Sequence, residues 1–378
     1  MVIAVLGHGV VGSGVVKILD ENKDEGIEIK KILVSKPSSL KDDRFTLDFN
    51  EILQDEQIDT IVECMGGDEI PYAYVLRALG KKKNVISANK KMLARHLDLF
   101  EVARDNGVVL LNEASCGGGI PCFANLRRLK RNDTIFAFKG ILNGTSNYLL
   151  TRLFQEDKSF NEILQDAKAL GYAEADPKED LNGDDARYKA CLCIKEAFDL
   201  CTDYEKILCL GIEKMNNKDI AYAKRKGMTI KLVARGEYKD GKLEASVLPV
   251  LMNADALLAR VSSNFNYLQI DCKYLGEAGF YGQGAGSLPT GQAILMDLYD
   301  LKDKKFVDNK KNLGKKAVDD ERRGIFYIRN KNLSLHEELI KERVDEDCFI
   351  SKELKICELK ELLNKYKEEE SFVMEVEE

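Results

Sequence analysis

The sequence predicts an α/β protein with a Rossmann-type doubly wound domain, a second α+β domain with a mixed or antiparallel sheet, and a small α+β C-terminal extension. Over the first 130 residues, short apolar runs alternate with helical stretches, and a glycine-rich turn follows the first run. Residues 229–281 are instead rich in strand-forming side chains and contain a Lys239-Asp240-Gly241 turn of the kind found in hairpins. A length of 378 residues corresponds to two or three domains.

The first domain is expected to form a parallel sheet flanked by helices. Parallel strands need a crossover connection, and the βαβα alternation of this region supplies helices for that purpose. The first helix is expected to follow the glycine-rich turn, around residues 15–19. The other expected elements are strands at 2–6, 29–34, 60–64, 84–88 and 108–112, and helices at 71–79 and 92–105.

The glycine-rich turn, GHGVVG at residues 7–12, matches the G-x-G-x-x-G pattern between a strand and a helix. Gly7 permits a tight turn, Gly9 lets the backbone approach a pyrophosphate, and Gly12 allows the helix to pack closely on the strand. Free N–H groups and the dipole at a helix N-terminus attract such an anion. The residues expected to contact the dinucleotide here are Gly7, Gly9, Val10, Val11 and Gly12.

The end of the second strand bears on which dinucleotide is bound. NAD-binding folds usually place an acidic residue there for the ribose 2′-hydroxyl. This chain has Ser35-Lys36, a hydroxyl and a cation, which suit a 2′-phosphate. The expected cofactor is therefore NADP, with NAD as the alternative, since an ordinary solvated turn could have the same composition.

Composition excludes several classes of function. Asp and Glu outnumber Lys and Arg by 64 to 57, which with a pI near 5.4 disfavours binding to nucleic acid or an anionic membrane. No apolar run approaches the roughly 18 residues that a membrane span requires. Ten scattered cysteines without a C-x-x-C pair indicate a reducing cytoplasm and no structural zinc site. With only three histidines, acid/base chemistry is expected from Lys, Tyr, Asp or Glu.

Two segments contain candidate catalytic side chains. Lys90 lies in SANKK, residues 87–91, at the C-terminal end of a predicted strand, where open α/β sheets bind their ligands. Asp185 and Lys189 stand four residues apart on a helix expected from about residue 184 to 200, after the densest acidic stretch. Each lysine has a plain alternative: Lys90 as a surface side chain, and the Asp185–Lys189 pair as a solvated ion pair.

Six segments together carry a family resemblance, in one order along about residues 1–300. They are GHGVVG at 7–12, SANKK at 87–91, NEASCGGGIP at 112–121, GILNGTSNYLL at 140–150, GYAEADPKEDLNGDDARYK at 171–189 and GQGAGSLPTGQAILMDL at 282–298. This set resembles homoserine dehydrogenase, and the fifth segment is the most specific. The resemblance implies an NAD(P)-dependent oxidoreductase that interconverts L-homoserine and L-aspartate 4-semialdehyde by hydride transfer.

The resemblance also implies roles for individual side chains. Lys189 resembles the general acid/base at the γ-oxygen of the substrate, with Asp185 beside it, and Lys90 resembles the second active-site lysine, near the nicotinamide. Glu174 resembles the ligand of the substrate ammonium, and Asp180 a further carboxylate of the substrate site. Two lysines at one oxygen could take up its proton and stabilise the developing alkoxide.

Further positions of the family's motifs concern the cofactor and a metal ion. Gly171 and Gly286 match glycines whose backbone approaches the cofactor. The resemblance also implies a monovalent cation, sodium, in a further loop, where backbone carbonyls as ligands would explain the otherwise indifferent side chains. The residues of that loop are Glu113, Cys116, Gly118 and Ile120.

The expected domain boundaries are 1–130 for the nucleotide-binding domain, with helix 287–301 returning to it, and 131–286 for the catalytic and dimerisation domain of a homodimer or larger homo-oligomer. Residues 302–378 are expected to be a charged linker and a βαβαβ-like extension, either a degenerate regulatory module or a packing extension. Its expected elements are strands at 324–329, 347–351 and 371–376, and helices at 334–344 and 354–367.

Two alternative functions stay open from the sequence. Another NAD(P)-dependent dehydrogenase could use the Tyr222-x-x-x-Lys226 pattern, or a nucleophilic Cys116 activated by a base. A non-catalytic NADP-sensing protein would need no acid/base, so the retained Lys90, Asp185 and Lys189 argue against it.

Overall fold

The first sheet follows the doubly wound pattern. The computed structural model describes residues 1–22, 26–39, 42–170, 172–305 and 313–377. Six parallel strands lie in the order β3-β2-β1-β4-β5-β6. The strand order therefore reverses between the neighbouring strands β1 and β4. The strands are β1 Val2–Leu6, β2 Glu28–Leu33, β3 Phe45–Thr46, β4 Thr60–Glu63, β5 Asn84–Ser87 and β6 Leu110–Leu111.

Helices connect these strands, and their ends are set by local capping. Asn89 caps the helix that starts at Lys90, because its side chain accepts a hydrogen bond from the Met92 N–H. The helix predicted at 92–105 is two helices, since the backbone at His96 leaves the helical region. The helices of this domain are α1 Val10–Asn22, α2 Phe49–Gln54, α3 Glu69–Gly80, α4 Lys90–Arg95 and α5 Asp98–Asp105.

A ten-stranded mixed sheet forms the centre of the second half of the chain. The long β10–β11 hairpin turns at Asp240 and Gly241, both at positive φ, as the Asp-Gly signal predicted. Helix α10 is buried along most of its length against this sheet and carries Asp185 and Lys189. The elements are α6 Phe123–Leu129, β7 Ile135–Ile141, α7 Gly144–Gln155, α8 Phe160–Ala169, α9 Lys178–Leu181, α10 Asp184–Phe198, β8 Leu200–Cys201, β9 Leu208–Cys209, α11 Asn217–Arg225, β10 Met228–Lys239, β11 Lys242–Asn253, β12 Phe265–Cys272, β13 Gly276–Gln283 and α12 Ser287–Lys302.

Helix α12 packs on the first domain, although it follows the second in sequence. Its apolar side chains Ala293, Ile294 and Leu298 are fully buried in the same core as the strands of the parallel sheet. A Cβ at Gly14 of α1 would lie 2.3 Å from the Ser287 carbonyl oxygen, so only glycine allows this contact. The two helices therefore meet beside the glycine-rich turn.

The C-terminal extension continues the mixed sheet. Strand β20 pairs in parallel with β11, and the order of the sheet is β13-β12-β7-β10-β11-β20-β16-β18-β17, with β9 also on β11. Leu208 and Leu248 of the second domain share one apolar cluster with Phe326 and Phe349 of the extension. Its elements are β14 Gly314–Lys315, β15 Arg323–Gly324, β16 Phe326–Arg329, β17 Ile340–Arg343, β18 Cys348–Ser351, β19 Leu354–Lys355, α13 Ile356–Lys365 and β20 Phe372–Val376.

The helix predicted at 334–344 is wrong, and with it the βαβαβ order. Two short 3₁₀ turns, Leu333–Leu335 and Glu337–Leu339, lead into β17, which pairs with β18 at the edge of the sheet. Strand pairing here outweighs the helix propensity of the glutamates and leucines, because propensity is a weak term compared with tertiary contacts. In the part of the chain that the structure describes, no helix has both the length and the apolar character of a membrane span.

Candidate active site

The glycine-rich turn has the shape of a phosphate cradle. A Cβ at Gly12 would lie 1.9 Å from the Gly7 carbonyl oxygen, and one at Gly7, which has a φ of +94°, would lie 2.9 Å from the Cys64 carbonyl oxygen. A Cβ at Gly9 would meet no heavy atom within 4 Å, and Val10, the first residue of α1, is 67% exposed. The backbone at the N-terminus of α1 is therefore open to an anion, and these residues fit a dinucleotide pyrophosphate.

Ser35 and Lys36 are exposed, separated from the end of β2 by the buried Val34 and followed by a 3₁₀ turn that begins at Pro37. His8 of the glycine-rich turn packs edge-on against Phe45, with ring centroids 5.1 Å apart. The imidazole therefore contacts the neighbouring strand and leaves the turn undisturbed.

Two lysines converge on the carboxylate of Asp185. Lys189 Nζ donates to Asp185 Oδ2 at 2.8 Å and to the Leu142 carbonyl oxygen at 2.6 Å. Lys90 Nζ, which comes from the parallel-sheet domain, lies 3.2 Å from Asp185 Oδ1. The Asp185–Lys189 pair is buried, against the alternative of a solvated ion pair, and Lys90 joins it because α4 packs against α10.

Burial and charge act in opposite directions on these groups. Burial by itself would raise the pKa of Asp185, but the ammonium groups of Lys189 and Lys90 and the hydrogen bonds to the carboxylate hold this pKa well below its usual range. In turn the Asp185 carboxylate raises the pKa of Lys90, against the opposing effect of burial. Asp185 is therefore ionised and Lys90 cationic around neutral pH.

Asn143 is a site residue that the sequence analysis did not single out. Its Nδ2 donates to Asp185 Oδ2 at 2.8 Å and to Asp180 Oδ1 at 2.6 Å, and its Oδ1 accepts the Ser146 N–H at the start of α7. Burial and the nearby Asp185 charge raise the pKa of Asp180. The signal was available, since the GILNGTSNYLL segment is too polar to be only a core strand.

Two of the remaining predicted substrate and cofactor residues lie in described loops. Glu174 is exposed in the loop before α9, and its carboxylate is not part of the Asp185 cluster. Gly286, at a φ of +128°, immediately precedes α12. Gly171 lies outside the described residues.

The loop predicted to hold a cation is buried. The Glu113 carboxylate accepts the N–H groups of Phe123 at 2.9 Å and Ala124 at 2.6 Å, and Arg127 lies 3.6 Å away. Burial raises the pKa of Glu113, while Arg127 and the two amides oppose that effect. The carboxylate thus caps α6. Cys116 and Ile120 are buried, and Gly118 has a positive φ.

The side chains of the rival motif lie elsewhere. Tyr222 is buried on α11 beside Tyr327 of the extension, and Lys226 pairs with Glu342 at 3.2 Å on the surface. Neither residue is in the Asp185 cluster. Cys116 Sγ lies 3.8 Å from Cys193 Sγ in the interior, so its surroundings are apolar thiols.

Comparisons with known proteins agree with this architecture. A family model described as "Homoserine dehydrogenase, NAD binding domain" matches residues 7–113, and one described as "Homoserine dehydrogenase" matches residues 121–299. Homoserine dehydrogenase from Bacillus subtilis is 35% identical over 78% of this chain and 71% of its own length. The enzyme from Helicobacter pylori is 37% identical over 80% of this chain and 74% of its own length.

Solved structures extend the similarity to the whole chain. The crystal structure of a homoserine dehydrogenase from Thiobacillus denitrificans covers all of this chain and 98% of its own, with a TM-score of 0.88 and 25% identity. The S. aureus enzyme at pH 6.0 covers the same shares with a TM-score of 0.77 and 34% identity. The C-terminal extension is therefore within the matched fold. On its sequence, its fold and its motifs, the chain belongs to the homoserine dehydrogenase family, the oxidoreductases that interconvert L-homoserine and L-aspartate 4-semialdehyde with a nicotinamide dinucleotide.

Proposed function

We propose that Lys189 is the acid/base of this reaction, that Lys90 is its electrostatic partner, and that Asp185 holds both lysines in place. The observation that carries the proposal is the convergence of the two ammonium groups, from different domains, on one buried carboxylate. A structural ion pair would need only one of them. Two ammonium groups beside one carboxylate on α10 instead suit a substrate oxygen that gains negative charge during the reaction.

Each lysine has its own part in the mechanism. Oxidising the alcohol requires removal of the proton on the γ-oxygen while a hydride leaves carbon, and the bound dinucleotide supplies the hydride acceptor. Lys189 in its neutral form takes that proton at Nζ, and returns it in the reverse direction. Lys90 stays cationic because Asp185 raises its pKa, so it stabilises the developing alkoxide.

The substrate's ammonium group is proposed to bind the acidic segment that contains Glu174 and Asp180. Glu174 is exposed in the segment that leads to Asp185. Asn143 donates hydrogen bonds to both Asp180 and Asp185 and so connects these two carboxylates. In this arrangement Glu174 binds the ammonium directly, and Asp180 adds negative charge on the same side. The alcohol end of the substrate then lies toward Lys189 and Lys90.

NADP is the proposed cofactor, since Ser35 and Lys36 are exposed after β2 where an NAD-specific site would place a carboxylate. Gly286, immediately before α12, would bring the backbone close to the same ligand. A sodium ion in the 113–120 loop would depend on the backbone carbonyls of Glu113, Cys116, Gly118 and Ile120, because the Glu113 carboxylate is already occupied.

A homodimer is proposed through the edge of the mixed sheet at β13. This strand alternates exposed and half-buried residues, and Tyr281, 57% exposed, stacks on Phe265. In the part of the chain that the structure describes, β13 pairs with β12 alone, and a sheet edge with an aromatic face suits pairing with a second copy. The proposed domains are residues 1–130 together with α12, which bind the nucleotide, residues 131–286, which form the catalytic and dimerisation domain, and the extension from residue 302.

The acid/base role is tested by Lys189→Ala. We expect kcat for homoserine oxidation to fall by about 10²–10⁴-fold with little change in dinucleotide affinity. Lys226→Ala is the matched control, because it removes a surface lysine and also the lysine of the rival motif. A fully active Lys189→Ala enzyme would remove this residue from the mechanism, and an inactive Lys226→Ala enzyme would favour the rival.

A further inference from the structure

A buried carboxyl group lies below the site at the end of β4 and has no part in the mechanism given above. Glu63 is fully buried in the centre of the parallel sheet. Its Oε1 accepts the Met65 N–H at 2.7 Å, and its Oε2 accepts the Ser87 hydroxyl at 2.5 Å. One side chain thus joins the loop after β4 to Ser87, the last residue of the neighbouring β5, and through Ser87 to the loop that follows β5.

The hydrogen-bond chain continues from Ser87 to the start of α4. Ser87 Oγ accepts the Asn89 N–H at 3.1 Å, and the Asn89 side chain caps α4 through the Met92 N–H at 3.1 Å. The Nδ2 of Asn89 also donates to the Gly67 carbonyl oxygen at 2.9 Å. Lys90 is the residue after Asn89 and the first of α4.

These contacts place Glu63 at the carboxyl end of β4, and a chain of hydrogen bonds connects it to the start of α4 and therefore to Lys90. Carboxyl ends of parallel strands are where open α/β sheets bind their ligands. A charged buried side chain is costly unless it is well hydrogen-bonded, so its presence in a mostly apolar sheet needs a reason. Apolar packing would fill the same space without that cost, but it could not hold both loops.

We propose that Glu63 is a positioning residue for the reaction: through Ser87 and Asn89 it sets the backbone of Lys90 and of the Met65–Gly67 loop. The inference rests on the proposed role of Lys90. Glu63 does not touch the substrate in this scheme, and it acts only through the side chains that it holds.

The carboxyl group is also poised to respond to pH. Burial raises the pKa of Glu63 to about 7, opposed by the hydrogen bonds from Ser87, Met65 and Asn89. The adjacent Cys64 thiol stays neutral, because burial and the Glu63 charge raise its pKa far above the usual value. When ionised, the carboxylate accepts both of its bonds. When protonated, one of its oxygens carries a proton that it can donate to Ser87 Oγ, which reverses the bond between these two side chains.

The test compares two variants of Glu63. Glu63→Leu keeps the bulk and removes both acceptors, and we expect kcat to fall about 10²-fold, the loss that a displacement of about 1 Å can cause, with a much smaller change in KM for homoserine. Glu63→Gln keeps an acceptor for the Met65 N–H and offers Ser87 a donor, as the protonated acid does, so its kcat should lie between those of Glu63→Leu and the wild type. Because Gln does not ionise, its kcat/KM profile should also lack one ionisation near pH 7 that the wild-type profile contains.

Two controls separate the possible outcomes. Asp219→Asn removes another fully buried carboxylate, bonded to Tyr327 and Arg329 away from the site, and should lower the melting temperature without changing kcat. The inference is overturned if Glu63→Leu has wild-type kcat, or if the Glu63→Gln pH profile equals that of the wild type. The pH profile of Glu63→Gln decides the matter if Glu63→Leu does not fold.

The Lys90→Ala variant distinguishes the proposed role of Lys90 from that of Glu63. Full activity of Lys90→Ala contradicts the role of Lys90. Impaired activity of Lys90→Ala together with unaffected Glu63 variants contradicts only the role of Glu63.

Discussion

Replacing Asp185 by asparagine tests the central feature of the site. The carboxylate accepts from Lys189 Nζ and Asn143 Nδ2, each at 2.8 Å, and pairs with Lys90 at 3.2 Å. Both short bonds go to Oδ2, and Lys90 lies at Oδ1, so an asparagine with its oxygen at the Oδ2 position removes the charge from both bonds and turns its NH2 group toward Lys90. A hydrogen bond to a charged group contributes about 1.5–3 kcal/mol. If that energy holds Lys189 in its reactive position, kcat falls about 10–150-fold, since about 1.4 kcal/mol corresponds to tenfold.

The assay is steady-state oxidation of homoserine at saturating dinucleotide, followed across pH. Because the Asp185 charge is the largest influence that raises the pKa of Lys90, its removal lowers that pKa, and the alkaline limb of the variant's profile should move to lower pH. Asp184→Asn is the matched control: Asp184 pairs with Arg187 at the surface end of the same helix, and its loss should leave kcat close to that of the wild type. Equal kcat values and alkaline limbs for wild type and Asp185→Asn would refute the reasoning.

Three other predictions follow from the same structure. Glu174→Ala should raise KM for homoserine far more than KM for the dinucleotide, because a charge-assisted bond to the ammonium contributes about 1.5–3 kcal/mol; an equal rise for both would indicate a structural role for the loop. The enzyme should prefer NADP because of Ser35 and Lys36, and a kcat/KM ratio that favours NAD about tenfold would overturn this assignment. Truncation after residue 305 should lower the melting temperature, because it removes β20 from β11 and uncovers Leu248, while kcat of the folded fraction persists. An unchanged melting temperature would show that the extension is an independent module, and loss of catalysis in folded protein would show that it completes the site.

The pattern of the first domain could be read from the sequence because its signals are local. The order strand, G-x-G-x-x-G, helix depends on residues adjacent in the chain, and the tight Gly7–Gly12 contact in the structure is what that spacing requires. The Asp240-Gly241 hairpin is equally local, since the two positive φ angles that it needs favour those residue types. The family assignment, confirmed by the comparisons, also came from contiguous motifs.

The helix predicted at 334–344 was wrong for the opposite reason. Glutamates and leucines favour a helix locally, but β17 gains its hydrogen bonds from β18, which is a partner that sequence periodicity does not reveal. Strand β20 was expected, but its partner was not: it pairs with β11 and so joins the extension to the catalytic sheet.

By itself the sequence determined which residues could do the chemistry: the lysines, the acidic segment and the glycine-rich turn all stand in recognisable motifs. Only the tertiary structure decided which of them meet. Lys90 and Asp185 are 95 positions apart, and they approach to 3.2 Å because α4 packs against α10 across the boundary between the two sheets. Asn143 stands in a motif, but its bond to Asp185 joins segments that no local pattern connects, and Glu63 has no signal in the sequence at all. Long-range contacts of this kind depend on how whole elements pack, and a helix or strand signal contains no information about its partner.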